Sequence, residues 1–300
     1  MPDELRIEAD ADLVRALLRA QAPQWGELPL ERVTSAGVNN TLYRLGDRLS
    51  VRLPQTEWAA GHIRKEHRWL PRHAPRLPLD IPTAVFTGAA DDDFPWPWLV
   101  CRWLDGADAV ESPVSDDRAA GRALAGFVGA LQRIPTAGGP RAGLHSGLRG
   151  TPLPVRDGVV RRALGHLEGK FDVEAATALW ESAIRVPAWR RAPVWVHSDI
   201  HPGNVLVRDG VPGAVIDWEL LSVGDPALDV MAAWTFLSSA GRETFREALP
   251  VDDGTWARAR GWALCVGVIA ADYYEGSNPV LAGFSRRAAT EAIADFAHGR

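Results

Sequence analysis

The sequence predicts an α+β protein of two lobes, an N-terminal lobe over residues 1–103 with a five-stranded antiparallel sheet and a mostly helical C-terminal lobe over residues 104–300. Three observations predict it. Five short β-type runs and one long helical segment fill the first third of the chain. A stretch rich in proline and acidic residues, 104–116, separates that third from the rest. Beyond it helical patterns dominate, broken by one histidine- and aspartate-rich segment among short apolar runs. Strands first and helices after is the α+β plan.

The elements follow in order. Residues 10–21 carry Leu13, Val14, Leu17 and Leu18 on one face behind an acidic start, an amphipathic helix with a cap. Three β-type runs, 32–35, 41–45 and 49–53, are separated by turn segments at 37–40 and 46–48, which predicts a meander. A helix over 57–73 is stopped by Pro75 and Pro78. Strands at 83–87 and 98–103 are joined by a loop, and a helix covers 117–133. Residues 136–158, rich in Gly and Pro, carry little pattern. A helical region spans 159–184. The run 194–196 is expected to form a hairpin with 205–207 and 214–216, and from Pro226 on the chain reads as helices.

Composition bounds the function. The chain has 300 residues, 46% hydrophobic and 24% charged, enough for a sizeable core. The formal charge of −5 argues against nucleic acid or an anionic membrane as partner. Cys101 and Cys265, both in apolar stretches, read as buried thiols of a reducing compartment. The acidic first residues do not resemble a signal peptide, and no apolar run is long enough to span a bilayer. The expectation is a cytoplasmic protein. Most of the 13 tryptophans are expected in packing roles.

The chemistry concentrates in 194–229, VWVHSDIHPGNVLVRDGVPGAVIDWELLSVGDPALD. Its polar groups sit beside apolar β runs and are costly to bury unless paired, so they should cluster around a charged ligand. Asp199 and Asn204 fall in the spacing H-x-D-x-x-x-x-N. That is the pattern in which Asp accepts the proton of a substrate hydroxyl and Asn holds Mg²⁺. Asp217 follows at the end of the next β-type run, and a hairpin would return it beside Asn204. Two hard oxygen ligands suit Mg²⁺, which keeps waters and borrows phosphate oxygens.

HSDIHPGN followed by IDWE resembles the aminoglycoside phosphotransferase and related small-molecule kinase family, whose signature is close to H-G-D-x-H-x-x-N and then I-D-W or I-D-F. Asn40-Thr41-Leu42-Tyr43-Arg44-Leu45-Gly46 is similar to that family's nucleotide-loop strand, Leu104-Asp105-Gly106 to the end of its interlobe hinge, and the GDPALD run at 224–229 to its helix start. The resemblance implies a bilobal protein-kinase-like fold and transfer of the γ-phosphoryl group of ATP or GTP to a small-molecule hydroxyl, with Mg²⁺, two ions in the usual arrangement. It implies Asp199 as catalytic base and Asn204 and Asp217 as metal ligands. Ala36, Gly37, Val38, Asn39 and Asn40 would cover the phosphates, and the backbone of Arg102, Trp103 and Leu104 would meet the nucleobase. His197, His201, Asp225 and Asp229 would support the loop. Arg52 stands where kinases of this shape carry a phosphate-gripping lysine, with Glu66 as its acidic partner. The phosphate loop holds only one glycine, Gly37.

The acceptor is left open by the residues. The C-terminal part has an acidic excess, and Asp272, Tyr273, Tyr274 and Glu275 offer an aromatic, acidic pocket. The resemblance puts an antibiotic such as an aminoglycoside first, acting in resistance by inactivation. The alternatives are a metabolic kinase for a sugar, amino alcohol or nucleoside, and a nucleotide-binding pseudokinase. A zinc hydrolase built on His197 and His201 lacks a third soft ligand, and no G-x-S-x-G elbow or P-loop occurs.

Overall fold

A computed structural model of the chain describes residues 5–33, 39–169 and 171–299. It divides into two compact units, 1–105 with 214–219, and 106–213 with 220–300.

The first unit is built on five antiparallel strands: β1 (Leu30–Arg32), β2 (Asn40–Leu45), β3 (Leu49–Pro54), β4 (Ala84–Gly88) and β5 (Trp98–Arg102), in the order β1-β2-β3-β5-β4. The five-stranded sheet expected from the sequence is present. Alternation along β2 buries Thr41, Tyr43 and Leu45. These meet Val51, Leu53, Trp98 and Val100, and the helix α1 (Ala11–Gln21) lays Val14, Leu17 and Leu18 on them. Asp10 starts α1 by accepting from the Leu13 N–H at 2.9 Å. Helix α2 (Glu57–His73) is capped in the same way by Thr56, and it buries Ile63 against Leu99 and Cys101. Pro71 lies within its last turn, and the chain leaves through a 3₁₀ turn at Ala74–Arg76.

The second unit holds two small sheets and eight helices among the described residues. Strand β6 (Ala107–Asp108) lies beside β8 (Val205–Arg208), and β8 beside β9 (Val211–Val215), whose last residues enter the first unit. Asp209 and Gly210 turn β8 into β9 with φ of 50° and 78°, the two left-handed residues of a tight hairpin. Strand β7 (Val194–Val196) does not pair with β8, contrary to the sequence expectation. It pairs antiparallel with β10 (Ser222–Gly224), Trp195 opposite Val223. A three-residue strand of Ser, Val and Gly has no alternation to detect.

The helices are α3 (Asp117–Gln132), α4 (Asp157–His166), α5 (Val173–Ile184), α6 (Ala227–Val230), α7 (Ala232–Thr235), α8 (Ser239–Ala248), α9 (Asp253–Tyr274) and α10 (Pro279–His298). The single helical region expected over 159–184 is thus two helices. Gly169, at φ 78°, lies in the break between them. Helices α9 and α10 pack closely through Gly267, where a Cβ would stand 2.8 Å from the Ser285 carbonyl oxygen. Trp180, Trp195, Trp234 and Trp262 are fully buried in this unit, and Trp98 and Trp218 in the first. Both cysteines are buried, which pushes their thiols up to about 12 for Cys101 and about 11 for Cys265. Among the described residues no helix is long and apolar enough to cross a membrane.

Candidate active site

In the second unit the site is the loop from β7 to β8. Ser198 has φ 74°, a left-handed conformation uncommon outside glycine. That bend turns two successive backbone N–H groups, of His197 and Ser198, onto the Asp229 carboxylate at 2.9 and 2.7 Å. Asp229 lies within the short helix α6 and is fully buried. Burial pushes its carboxyl up to about 7 against the opposing pull of the two N–H donors. Asp225 caps the Ala227 N–H at 3.0 Å and takes a two-pronged ion pair from Arg258 of α9, at 2.7 and 3.2 Å. The loop is therefore fixed to α6, and the start of α6 to α9.

Within the loop, the Asp199 N–H donates to His197 Nδ1 at 3.2 Å, and Asn204 Nδ2 donates to the Asp199 carbonyl at 3.0 Å. The latter commits the amide nitrogen of Asn204 and does not involve its amide oxygen, an atom of the kind that could hold a hard cation. His201 accepts from the Gly203 N–H at 3.1 Å and stacks on Phe284 of α10 with centroids 4.6 Å apart. The Asp199 carboxylate makes an ion pair through Oδ1 with Arg149, which also donates to the Ser198 carbonyl at 2.7 Å. Oδ2 lies 3.5 Å from Asn204 Nδ2 and 3.7 Å from His201 Nε2. Burial alone would push this carboxyl up; Arg149, then His201, more than offset it and hold it well below the usual carboxylate range.

In the first unit the polar centre is Glu219, two residues after Asp217. Asn39 and Asn40 donate to its two carboxylate oxygens at 2.7 and 2.5 Å. Its backbone carbonyl is met by His62 and Lys65 of α2. Arg52 of β3 pairs with Glu66 of α2 and stands 3.8 Å from Glu219. Burial works against the Arg52 charge, but the carboxylates of Glu66 and Glu219 outweigh it and hold the guanidinium firmly charged. Burial pushes Glu219 up to about 7, with Asp217 adding to it, and draws Lys65 down to about 8. Asp217 has φ 60°, so the sharp bend after β9 sets its position. The Arg102 and Trp103 amides donate to the Thr83 and Arg48 carbonyls at 3.1 and 2.8 Å. Ala36, Gly37 and Val38 lie outside the described residues.

A cavity of about 220 Å³ opens in the second unit, lined by Arg149 and Arg156 and by a face of α9 that includes Trp262, Ile269, Tyr273 and Tyr274. Asp272 and Glu275 do not line it. Asp272 turns to His166 at 3.0 Å, and Glu275 lies 4.0 Å from Arg286. Among the described residues no group of three or more His, Cys, Asp and Glu side chains could hold a metal ion by itself.

Residues 31–262 match the model of the phosphotransferase enzyme family, APH. The chain belongs to that family. The sequence matches no curated protein. Among solved structures, this phosphotransferase is similar to the GDP and kanamycin complex of APH(2")-IIia, with 18% identity, TM-score 0.71, and 94% of this chain and 98% of that one covered. It is also similar to macrolide 2'-phosphotransferase MphH from Brachybacterium faecium, with 20% identity, TM-score 0.61, and 94% and 97% covered. A third likeness is to the streptomycin-ATP-APH(2")-IIa ternary complex, with 15% identity, TM-score 0.60, and 96% and 97% covered. At these identities the likeness is one of fold: a lobe with a five-stranded sheet and a helical lobe.

Two residues of this phosphotransferase escaped the sequence reading. Arg149 lies in the pattern-poor stretch and meets Asp199 across 50 positions, so no local spacing signals it. Glu219 was visible as the last letter of IDWE, but its partners Asn39 and Asn40 are about 180 residues away. The glycine that the family signature carries between His and Asp is Ser198 here, and its φ of 74° gives the reason for a glycine there.

Proposed function

We propose that this phosphotransferase moves the γ-phosphoryl group of ATP or GTP to the hydroxyl of a small molecule, with Asp199 as catalytic base. The acceptor oxygen forms its bond to the γ-phosphorus as the bond to the β,γ-bridging oxygen breaks. The nucleoside diphosphate leaves, and the hydroxyl proton passes to Asp199 and on to solvent. One observation carries this reading. Oδ1 of Asp199 is taken by Arg149, which leaves Oδ2, beside Asn204, as the oxygen for an acceptor hydroxyl in this reading. A carboxyl held well below its usual range is a weak base, so its main work is to orient the nucleophile and accept the proton late.

Mg²⁺ comes from the family resemblance, which implies the Asn204 amide oxygen and the Asp217 carboxylate as its ligands; each is a hard oxygen donor of the kind Mg²⁺ takes alongside waters and phosphates. Bound there, the metal supplies neutralisation of phosphate charge. Asn39 and Asn40 take the place of a glycine-rich phosphate cover, Arg52 with Glu66 that of the lysine–glutamate pair, and the backbone of Arg102, Trp103 and Leu104 the nucleobase side. Antibiotic inactivation is the first acceptor reading, because the similar structures hold kanamycin and streptomycin or act on macrolides. The second reading is a nucleotide-binding pseudokinase, favoured by Arg52 being already engaged with two carboxylates.

The test is nucleoside diphosphate release from Mg-ATP and Mg-GTP over a panel of hydroxyl acceptors, with Asp199→Ala alongside and EDTA as control. Release should depend on acceptor and metal, and should fall by at least about 100-fold in Asp199→Ala while nucleotide still binds. Asp217→Ala should weaken Mg-nucleotide binding. Tight nucleotide binding with no release for any acceptor would select the pseudokinase.

A further inference from the structure

The cavity beside Asp199 has a charge opposite to the one expected for a polyamine site. Arg149 and Arg156 line it and no carboxylate does. On α9 the lining residues recur at helical spacing, Trp262, Ile269 and Tyr273 among them, so they share one stripe of the helix. Asp272 is about 100° away from Tyr273 around the helix axis and is drawn off to His166. The acidic residues of this helix end therefore serve another face.

The two arginines differ. The charge of Arg149 is matched by Asp199. Arg156 ends the 3₁₀ turn Leu153–Arg156, and the partners of its side chain are neutral: the Gly147 carbonyl at 3.4 Å and the Cys265 thiol, which lines the same cavity. No ion pair neutralises it among the described residues, and its Nε is buried with no partner among them. A half-buried guanidinium without a counter-charge in a cavity wall is a ready partner for a carboxylate, which it can hold through two parallel N–H bonds. Trp262, Ile269 and Tyr273 offer apolar surface for the body of such a molecule. At about 220 Å³ the cavity is below the roughly 300–1,000 Å³ of drug-sized sites, so it takes a compact group.

We propose that the acceptor of this enzyme carries a carboxylate near its hydroxyl, with Arg156 binding the carboxylate, which narrows the antibiotic reading to acceptors that are not polycations of the kanamycin kind. The proposal rests on the reading of Asp199 as the base that receives the hydroxyl, since Arg149 bridges that carboxylate and the cavity. It is independent of which nucleotide donates.

A matched set tests it: 4-(hydroxymethyl)benzoate, its amide and 4-(hydroxymethyl)benzylamine, with kanamycin as a polycation. Binding to the full chain is measured by calorimetry and turnover by nucleoside diphosphate release. The benzoate should bind about tenfold more tightly than the amide, the difference a charge-assisted pair supplies, and the benzylamine and kanamycin should bind more weakly still. Arg156→Gln should bring benzoate and amide within about twofold, and Arg156→Lys should restore part of the preference. Binding that favours benzylamine or kanamycin, no binding of any of the four, or a benzoate preference untouched by Arg156→Gln would each overturn the proposal. Binding in the expected order without turnover would keep the ligand class and overturn the phosphoryl-transfer reading instead.

Discussion

Arg149 and Asp199 form an ion pair in which the guanidinium holds one carboxylate oxygen and, through the same nitrogen, the carbonyl of the preceding residue, Ser198. The pair orients the carboxylate and lowers its basicity at once. Its consequence is a pH profile. Asp199 is held below its usual range, so its contribution to stability is present above about 3.8 and is lost as pH falls below that. Activity that depends on the ionised carboxylate should have its acid limb in the same low range. Arg149→Met should move the acid limb of kcat/KM up by roughly 1–3 pH units, the usual effect of removing an arginine from an aspartate. A limb that stays in place would detach Asp199 from the ionisation that controls rate.

Ser198 departs from glycine at a left-handed position, and its hydroxyl is buried with no partner among the described residues. Both features cost stability: about 1–2 kcal/mol for the backbone and about 1–3 kcal/mol for the orphaned hydroxyl. Glycine gives back about 0.4–1 kcal/mol through a freer unfolded chain. Ser198→Gly should therefore raise unfolding free energy by about 1–4 kcal/mol, read from urea titration. A loss of stability would mean that the hydroxyl has a partner in solution.

Asp229 is pushed up to about 7, so the folded chain keeps a proton over a range in which the unfolded chain has released it. Stability from this group is fully present below about 3.8 and declines as pH rises to about 7. Asp229→Asn should flatten that decline, whose slope is at most roughly 1.4 kcal/mol per pH unit. It should also lower stability by about 1–3 kcal/mol, because the amide accepts from only one of the His197 and Ser198 N–H groups. Urea unfolding of both proteins across this pH range gives both quantities.

Arg52 stands between Glu66 and Glu219, both buried. Arg52→Ala should cost about 3–5 kcal/mol, since it leaves buried acid groups without a counter-charge. Arg52→Lys keeps the charge and separates two roles. If Arg52 grips phosphate, nucleotide affinity should change in this variant, as measured by fluorescence titration. A change confined to the melting temperature would make Arg52 a structural ion pair.

The spacing of His197, Asp199 and Asn204 was legible because the loop is contiguous and bonds largely to itself, as Asn204 does to the Asp199 carbonyl. The meander, α1 and α2 were legible for the same reason: a period of two or 3.6 is a property of neighbours along the chain. Helix capping by Asp10 and Thr56 is equally local.

What the sequence by itself determined, then, was the contiguous loop spacing of His197, Asp199 and Asn204 and the two-lobed α+β plan. The tertiary structure alone decided which groups face them. It brought Arg149 to Asp199, paired β7 with β10 rather than β8, set Glu219 under Asn39 and Asn40, and turned Asp272 away from the cavity that Arg156 enters. Periodicity fixes which face of an element is apolar, but the partner of a polar side chain depends on packing between segments tens to hundreds of residues apart. The charge of a binding cavity is the sum of such partners, and composition does not carry it.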